Sequence, residues 1–434
     1  MPITPPPRRL PALTSLRYRD FRLLWVGQLI SIAGSQMRLV AVNWQVYELA
    51  RRGGGIDPAL ALGLIGLARV IALLISAPLS GLVADRRDRR WVLVITSLVA
   101  LATSAALALA TELNAASVWL IYAMVIAAAV AGAFEMPARQ ALLSNLVPAH
   151  VLPNALSLNI IAWQVATVVG PGLAGALIAW GGAAPVYWID AVSFLAVVVS
   201  AALMRTSAAP PAPQGRPTLH DALEGLRFVF RTRLIASTML LDFFATFFGA
   251  ATTLLPLFAD QVLHVGPVEL GWLYAAPAAG AVLAAAALTS IQIRRQGTVL
   301  LWAVALFGLA TVLFGLSTWL WLTLAALAVS GAADTVSMVI RGTIRNLMTP
   351  NELRARMTAV NMVFFAGGPQ LGELESGVLA SLIGAQPAVA IGGLLCIAAT
   401  GAVAWWDRSL RAYRGPVAED AAPAEGAARQ PQRA

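Results

Sequence analysis

The stretch GLVADRRDRR, residues 81–90, contains six consecutive charged side chains, Asp85 to Arg90, in a chain of which only 12% is charged. It separates two apolar runs, 60–84 and 91–111, and the second carries no charge at all. A helix needs about 20 apolar residues to cross a hydrocarbon core roughly 30 Å thick. The block therefore reads as a short loop between two membrane crossings.

The rest of the chain repeats that pattern. Its hydrophobic fraction is 59%, against about 45–50% in soluble domains, and residues 113–134 and 270–293 are again long and free of charge. Breaks at Gly/Pro pairs and charge clusters predict twelve spans near 22–49, 60–84, 91–111, 117–137, 156–180, 185–204, 235–259, 267–292, 297–316, 319–340, 357–383 and 386–406. Barrel strands are about ten residues long and alternate in polarity; these runs do neither, so an all-α integral membrane protein is expected. The first span is too long for the apolar core of a cleaved export signal.

All 30 basic residues are arginine, and the net charge is +9. Arg51 and Arg52 fall on one side of the twelve-span plan and Arg38 and Arg69 inside spans; all the other arginines fall on the side of the termini. By the positive-inside rule both termini are cytoplasmic, and the basic surplus is topological rather than a nucleic-acid footprint. The single cysteine, Cys396, excludes a disulfide framework. His150, His220 and His264 lack metal spacing, so no metal site is expected. No phosphate-binding loop or dinucleotide fingerprint is present in a usable context. A proton gradient, with no cofactor, is the expected energy source.

The spans divide six and six: a cytoplasmic N-terminal segment, 1–20; one bundle, 21–205; a linker, 206–234; a second bundle, 235–408; and a disordered tail, 409–434. The linker opens with SAAPPAPQGRP and continues with TLHDALEGLRFVFRTR, which places Leu219, Leu223, Leu226 and Phe230 on one stripe of a helix lying along the membrane surface. At an offset of 202 residues the bundles match: Trp119 with Trp321, Arg139 with Arg341, Pro148 with Pro350, Asn159 with Asn361, Gly170 with Gly372, Gly175 with Gly377 and Pro185 with Pro387. Two parallel six-helix repeats about an axis along the membrane normal are the plan of the major facilitator superfamily of transporters.

With that plan in hand, GLVADRRDRR resembles the superfamily's signature loop, with Gly81, Asp85, Arg86, Arg89 and Arg90 at the matching positions. The usual glycine between the basic residues is replaced by Asp88. The resemblance implies a conformational latch: Gly81 allows close helix approach, and Asp85 faces the positive end of a helix in the other half, near Thr358. Such contacts bias one arrangement of the halves by about 1–3 kcal/mol. The alternative is a solvated topology anchor. VVGPGLAGAL, residues 168–177, resembles the glycine–proline motif of superfamily antiporters, with Gly170, Pro171, Gly172 and Gly175 at the contact between halves; a generic kinked helix is the alternative. With YRDFRLLWVGQLISIAGSQM at 18–37, PARQALLSNLVP at 137–148 and NALSLN at 154–159, residues 15–410 resemble the drug and siderophore exporter branch, that of enterobactin exporters and macrolide-efflux proteins.

Charges inside the spans are the candidate site. Each costs roughly 2.5–3.5 kcal/mol at mid-bilayer, so most must face a watery cavity or one another. Arg38 and Arg69 lie in the N-terminal half; Asp242, Asp334, Glu373 and Glu375 lie in the C-terminal half. A carboxyl group in low dielectric holds a proton more readily than in water, so Asp242 and Asp334, then Glu373 or Glu375, are candidates for proton coupling; structural pairing with arginine is the alternative. Glu135 can couple protons or pair with Arg139, and Asp190 is expected near the outer surface. Trp44, Trp163, Phe243, Phe244 and Phe365 are candidates to line a cavity for an amphipathic molecule, although membrane aromatics also face lipid or core. The expected function is proton-coupled efflux of a small amphipathic molecule, by resemblance a siderophore or hydrophobic drug, by a monomer in a bacterial inner membrane among membrane lipids. An uptake carrier or lipid flippase on the same scaffold is the alternative. A membrane-embedded enzyme lacks any convergent catalytic set.

Overall fold

The computed structural model describes residues 13–415 apart from 54, 85–87, 206–218 and 250, with side chains further excepted at 77–84, 219–223 and 355. Six long helices form the N-terminal half: α1 (Arg19–Arg51), α2 (Pro58–Ala84), α3 (Arg89–Glu112), α4 (Val118–Leu146), α5 (Leu152–Gly181) and α6 (Ala183–Leu203). The linker helix α7 (Leu219–Arg231) follows. The C-terminal half comprises α8 (Arg233–Phe248), α9 (Pro267–Leu288), α10 (Gln296–Leu316), α11 (Leu320–Met348), α12 (Arg354–Ile383) and α13 (Ala385–Trp406), and ends in the short α14 (Arg408–Ala412). Helices suit this sequence because lipid offers backbone groups no partner, and a helix pairs all of them internally.

Among the described residues, ten segments are long and apolar enough to cross a membrane. The two predicted spans outside that set are α1 and α12. Both carry polar side chains along their middles, Gln28, Ser31, Arg38 and Asn43 in one and Gln370, Glu373 and Glu375 in the other. Both also line the space between the halves. The predicted seventh span is interrupted. After α8 the chain runs through a tight turn at Thr252–Leu254 and a widened turn at Phe258–Val262, where Leu263 N–H donates to Phe258 O at 2.9 Å, five residues back. Pro256, which lacks an amide hydrogen, lies between the two turns.

The repeat read from sequence is repeated in the packing. In the first half α1 lies against α5 and α6, α3 against α4 and α6, and α2 against α4; in the second half α8 lies against α12 and α13, α10 against α11 and α13, and α9 against α11. The helix α7 forms where predicted and rests on α8 and α12. Val229 on its protein side is buried, whereas Leu226 and Phe230 on the predicted apolar stripe are exposed.

Two helix pairs join the halves, α2 with α12 and α5 with α9. Each crosses at glycine, within two turns of the helix ends that lie opposite the termini. A Cβ on Gly175 would come within 2.4 Å of Pro267 O and 3.1 Å of Gly271 Cα, and one on Gly63 within 2.8 Å of Gly377 Cα. Gly175 and Gly377 are partners in the 202-residue repeat, so the two crossings are related by the pseudo-symmetry. Bare backbone lets helices approach this closely where lipid supplies no hydrophobic drive. The halves are therefore clamped together at the face opposite the termini.

Candidate functional site

Behind that clamp lies a cavity of about 370 Å³ shared by the halves. Leu39 and Asn43 of α1, Arg69 of α2 and Gln164 and Thr167 of α5 form one wall; Thr252, Thr253, Tyr274 of α9, Asp334 and Met338 of α11 and Glu373 of α12 form the other. The cavity is bridged by charge. Arg69 Nη1 donates to Glu373 Oε1 at 2.8 Å and Oε2 at 3.0 Å. Beside this pair, Asn43 Nδ2 donates to the Tyr274 hydroxyl at 2.9 Å, again from one half to the other.

A second network lies deeper in the C-terminal half. Arg341, 2% exposed, has Nη2 2.9 Å from Asp242 Oδ1 and 3.4 Å from Asp334 Oδ1, while Arg345 Nη1 is 3.7 Å from Asp242 Oδ2 and also donates to Asn361 Oδ1. Asp334 is the member that lines the cavity and is the most accessible of the network's charges. Arg341 Nε and Nη1 are buried without a hydrogen-bond partner, so this guanidinium holds donors in reserve.

The structure thus brings Arg69, Asp334 and Glu373 into one cavity, with Asp242 one shell behind. Other predicted residues lie elsewhere. Arg38 Nε sits 3.2 Å from Asp190 Oδ2 within the N-terminal half, and Ser104 donates to the same oxygen at 2.5 Å. Asp190 is fully buried and takes the structural pairing: α6 turns it inward towards α1 and α3, where Arg38 offsets its charge. Glu135 takes the pairing alternative, 3.8 Å from Arg139. Glu375 is half-buried and has no ion pair among the described residues.

The aromatic candidates do not appear in the cavity's lining. Trp44 tilts against Tyr47, while Trp163 and Phe365 are about half exposed. Phe243 stacks on Phe247 and meets Phe244 and Phe364 edge-on, in a cluster between α8 and α12. The cavity's amides, hydroxyls and phenol are set in an otherwise apolar lining that includes Leu39, Pro277, Ala278, Ala281 and Met338.

In the antiporter-like motif, Gly170 lies against Gln36 and Ala33 of α1, a Cβ on Gly271 of α9 would come within 2.5 Å of Pro171 O, and Gly172 has open space beside it. In the signature loop, Gly81 lies in the last turn of α2, and Asp85 and Arg86 fall outside the described residues. Arg89 Nη1 donates to Ala141 O at 3.1 Å and Arg90 Nη2 to Ala202 O at 2.8 Å, both in their own half. Asp88, the departure from the family pattern, caps α3 by accepting the Arg90 amide at 2.9 Å.

Sequence reasoning missed the clamp's polar lock. Asp260, in the widened turn after α8, accepts from the Tyr47 hydroxyl at 2.5 Å and from Arg51 Nη1 at 2.7 Å, tying α1 to the C-terminal half. Arg51 reads as a topological arginine in sequence, and the departure from helical spacing that turns Asp260 toward it has no sequence signal. The glycines Gly63 and Gly66, three apart in LGLIGLA, are a signal for close packing that was available.

Residues 11–419 match the family described as transmembrane secretion effectors, a branch of the major facilitator superfamily. The chain belongs to that family. The secretion effectors of this superfamily are transporters, not enzymes. Among curated relatives, the multidrug efflux pump Tap of Mycolicibacterium fortuitum is 28% identical over 392 residues, covering 86% of this chain and 92% of that protein. The enterobactin exporter EntS of Shigella boydii is 28% identical over 367 residues, covering 84% and 86%. Among solved structures, the nucleoside transporter NupG aligns with TM-score 0.67 at 14% identity, covering 91% of this chain and 100% of that one. A bacterial homologue of the lysosomal transporter Spinster, in an inward-facing and unoccupied conformation, aligns with TM-score 0.68 at 16% identity, covering 91% and 96%. These structures share the fold.

Proposed function

We propose that this secretion effector is a proton-coupled exporter of small amphipathic molecules in a bacterial inner membrane, working as a monomer with both termini cytoplasmic. The observation that carries the reading is the Arg69–Glu373 pair, a charge bridge between the halves inside the shared cavity. An ion pair of this kind is costly to place in a membrane and is retained where a pathway needs it. The relatives Tap and EntS, a multidrug efflux pump and an enterobactin exporter by name, support outward transport of a small molecule.

Substrate enters the cavity while the opposite face is clamped; the apolar lining takes its hydrophobic part, and Asn43, Gln164, Thr167 and Tyr274 orient its hydrogen-bonding groups. Asp334, the cavity-side carboxylate, takes up the proton. Neutral Asp334 releases Arg341, whose charge is then held by Asp242 alone. This moves α11 relative to α8 and α9 and so transmits protonation to the α5–α9 crossing. Opening the opposite face separates Arg69 from Glu373 and Arg51 from Asp260, leaving Arg69 available to anionic cargo. The signature-loop residues Gly81, Asp85, Arg86, Arg89 and Arg90 act as the latch on the terminal face.

A panel of labelled drugs and siderophores, tested for transport in inverted membrane vesicles with and without a protonophore, tests this reading. Uptake into vesicles that the protonophore abolishes is the expected result. Transport indifferent to the protonophore would remove proton coupling, and movement only in the reverse direction would remove export.

A further inference from the structure

On the outside of the C-terminal half, away from the central cavity, α10 and α13 leave a second recess of about 360 Å³. Leu301, Trp302, Ala305, Ile397 and Gly401 form its apolar walls. A Cβ added to Gly401 would meet nothing within 4 Å, so the floor is open. The two threonine hydroxyls in the lining are already satisfied: Thr400 donates to Cys396 O at 2.8 Å and Thr298 to Arg411 O at 3.2 Å. The recess therefore offers hydrocarbon surface along its length, with one exception: Arg411 stands at the end nearest the termini.

Arg411 is not alone there. Backbone hydrogen bonds from Gly297 N to Tyr413 O and from Gly415 N to Arg294 O, each 3.1 Å, knit the start of α10 to the segment around α14. Arg294, Arg295, Arg408, Arg411 and Arg414 are thereby gathered at one place, all exposed, and none forms an ion pair among the described residues. Asp407 cannot neutralise them. It is 1% exposed and engaged by the Ser237 hydroxyl at 2.6 Å and by Ser409 N and Oγ at 3.0 and 2.5 Å. Trp302 in the recess wall is 73% exposed, as tryptophans are at the headgroup level of a bilayer.

We propose that this recess is a binding site for an anionic phospholipid, with an acyl chain along α10 and α13 and the phosphate on Arg411 and its neighbours. A topological role accounts for the sign of the cluster, but not for an apolar recess that ends in it. A free phosphate has no use for the recess, and a zwitterionic lipid brings its own cation to arginines that need none. Guanidinium groups bind phosphate through paired N–H donors, and basic pockets between helices at the cytoplasmic membrane surface suit anionic headgroups.

The test is native mass spectrometry of the full-length protein, stripped of lipid in detergent and titrated with phosphatidylglycerol, phosphatidylcholine or inorganic phosphate. Wild type should retain phosphatidylglycerol about tenfold over phosphatidylcholine, and equimolar phosphate should not displace it. Each arginine near a membrane surface is worth about a fivefold change in affinity, so R411Q combined with R295Q should lose most of that preference and leave phosphatidylcholine unchanged. G401F, which fills the recess and leaves the arginines intact, should weaken phosphatidylglycerol several-fold. Both variants alter exposed positions, and an unchanged melting temperature confirms folding. Equal retention of the two lipids by wild type, displacement by phosphate, or unchanged retention in the arginine variant would each overturn the proposal.

Discussion

Arg69 of α2 and Glu373 of α12 lie 2.8 Å apart, one from each six-helix repeat, inside the cavity the repeats share. Four residues from Glu373, Gly377 touches Gly63, so the ion pair and a close backbone crossing belong to one helix interface. That interface must open for a molecule to leave by the face opposite the termini.

Replacing either charge alone strands the other. Breaking a buried pair costs about 3–5 kcal/mol, and partial exposure of both side chains lowers this to about 1–3 kcal/mol. Arg69→Gln and Glu373→Gln should each lower the melting temperature of the purified protein by several degrees, and the swapped pair Arg69→Glu with Glu373→Arg should recover most of the loss. Equal losses in all three would show that the two side chains act separately.

The α5–α9 crossing permits a controlled comparison. A leucine at Gly175 must collide with Pro267 O and Gly271, whereas a Cβ at Gly172 meets nothing within 4 Å. Gly175→Leu is expected to cut transport at least tenfold and, in a protein carrying Gln164→Cys in the cavity, to make that introduced thiol reactive to a membrane-impermeant reagent applied from the opposite face. Gly172→Ala should transport within twofold of wild type. Similar behaviour of the two variants would remove the crossing from the mechanism.

In the Asp242–Arg341–Asp334 network, removal of one carboxylate leaves a buried guanidinium held by the other. Asp334→Asn should allow substrate binding yet abolish the response of transport to a pH gradient in proteoliposomes, and Asp242→Asn should do the same with some loss of stability. A full proton-driven rate in both variants would reject the assignment.

Asp407, between α13 and α14, gives a pH dependence outside the membrane spans. Burial pushes its carboxyl up, but hydrogen bonds from Ser237, Ser409 and the Ser409 and Leu410 amides outweigh this and hold it below its ordinary value. A group lowered on folding contributes stability above its unfolded pKa, about 3.9, and loses it as pH falls through the folded value. The melting temperature of wild type should therefore fall more steeply below pH 4 than that of Asp407→Ala. The variant, lacking the cap, should be about 1 kcal/mol less stable at pH 7. Parallel acid profiles would contradict this.

The sequence made the fold legible through two properties that do not depend on contacts: run length in the spans, and the offset of 202 residues linking Gly175 to Gly377 and Arg139 to Arg341. It was less informative about pairing. Which carboxylate meets which arginine depends on helix rotation, and so Arg38, expected in the cavity, is taken up by Asp190 within its own half. The lock at Tyr47, Arg51 and Asp260 was hidden because a widened turn after α8 shifts Asp260 off helical spacing. The cavity's polar groups were hidden for another reason: Gln164, Thr167 and Tyr274 are ordinary residues until two helices place them opposite one another.

The central claim is that the two repeats rock about this cavity. Cys396 is the only native cysteine and is 1% exposed, so spin labels can be placed on introduced cysteines at Ala115 and Thr318 on the opposite face, and at His150 and Asn351 on the face of the termini. Distance distributions between each pair, recorded across a pH titration in nanodiscs, should show two populations that exchange reciprocally: as the Ala115–Thr318 distance lengthens, the His150–Asn351 distance shortens. A single distance at both faces under every condition, or two faces that open together, would contradict it.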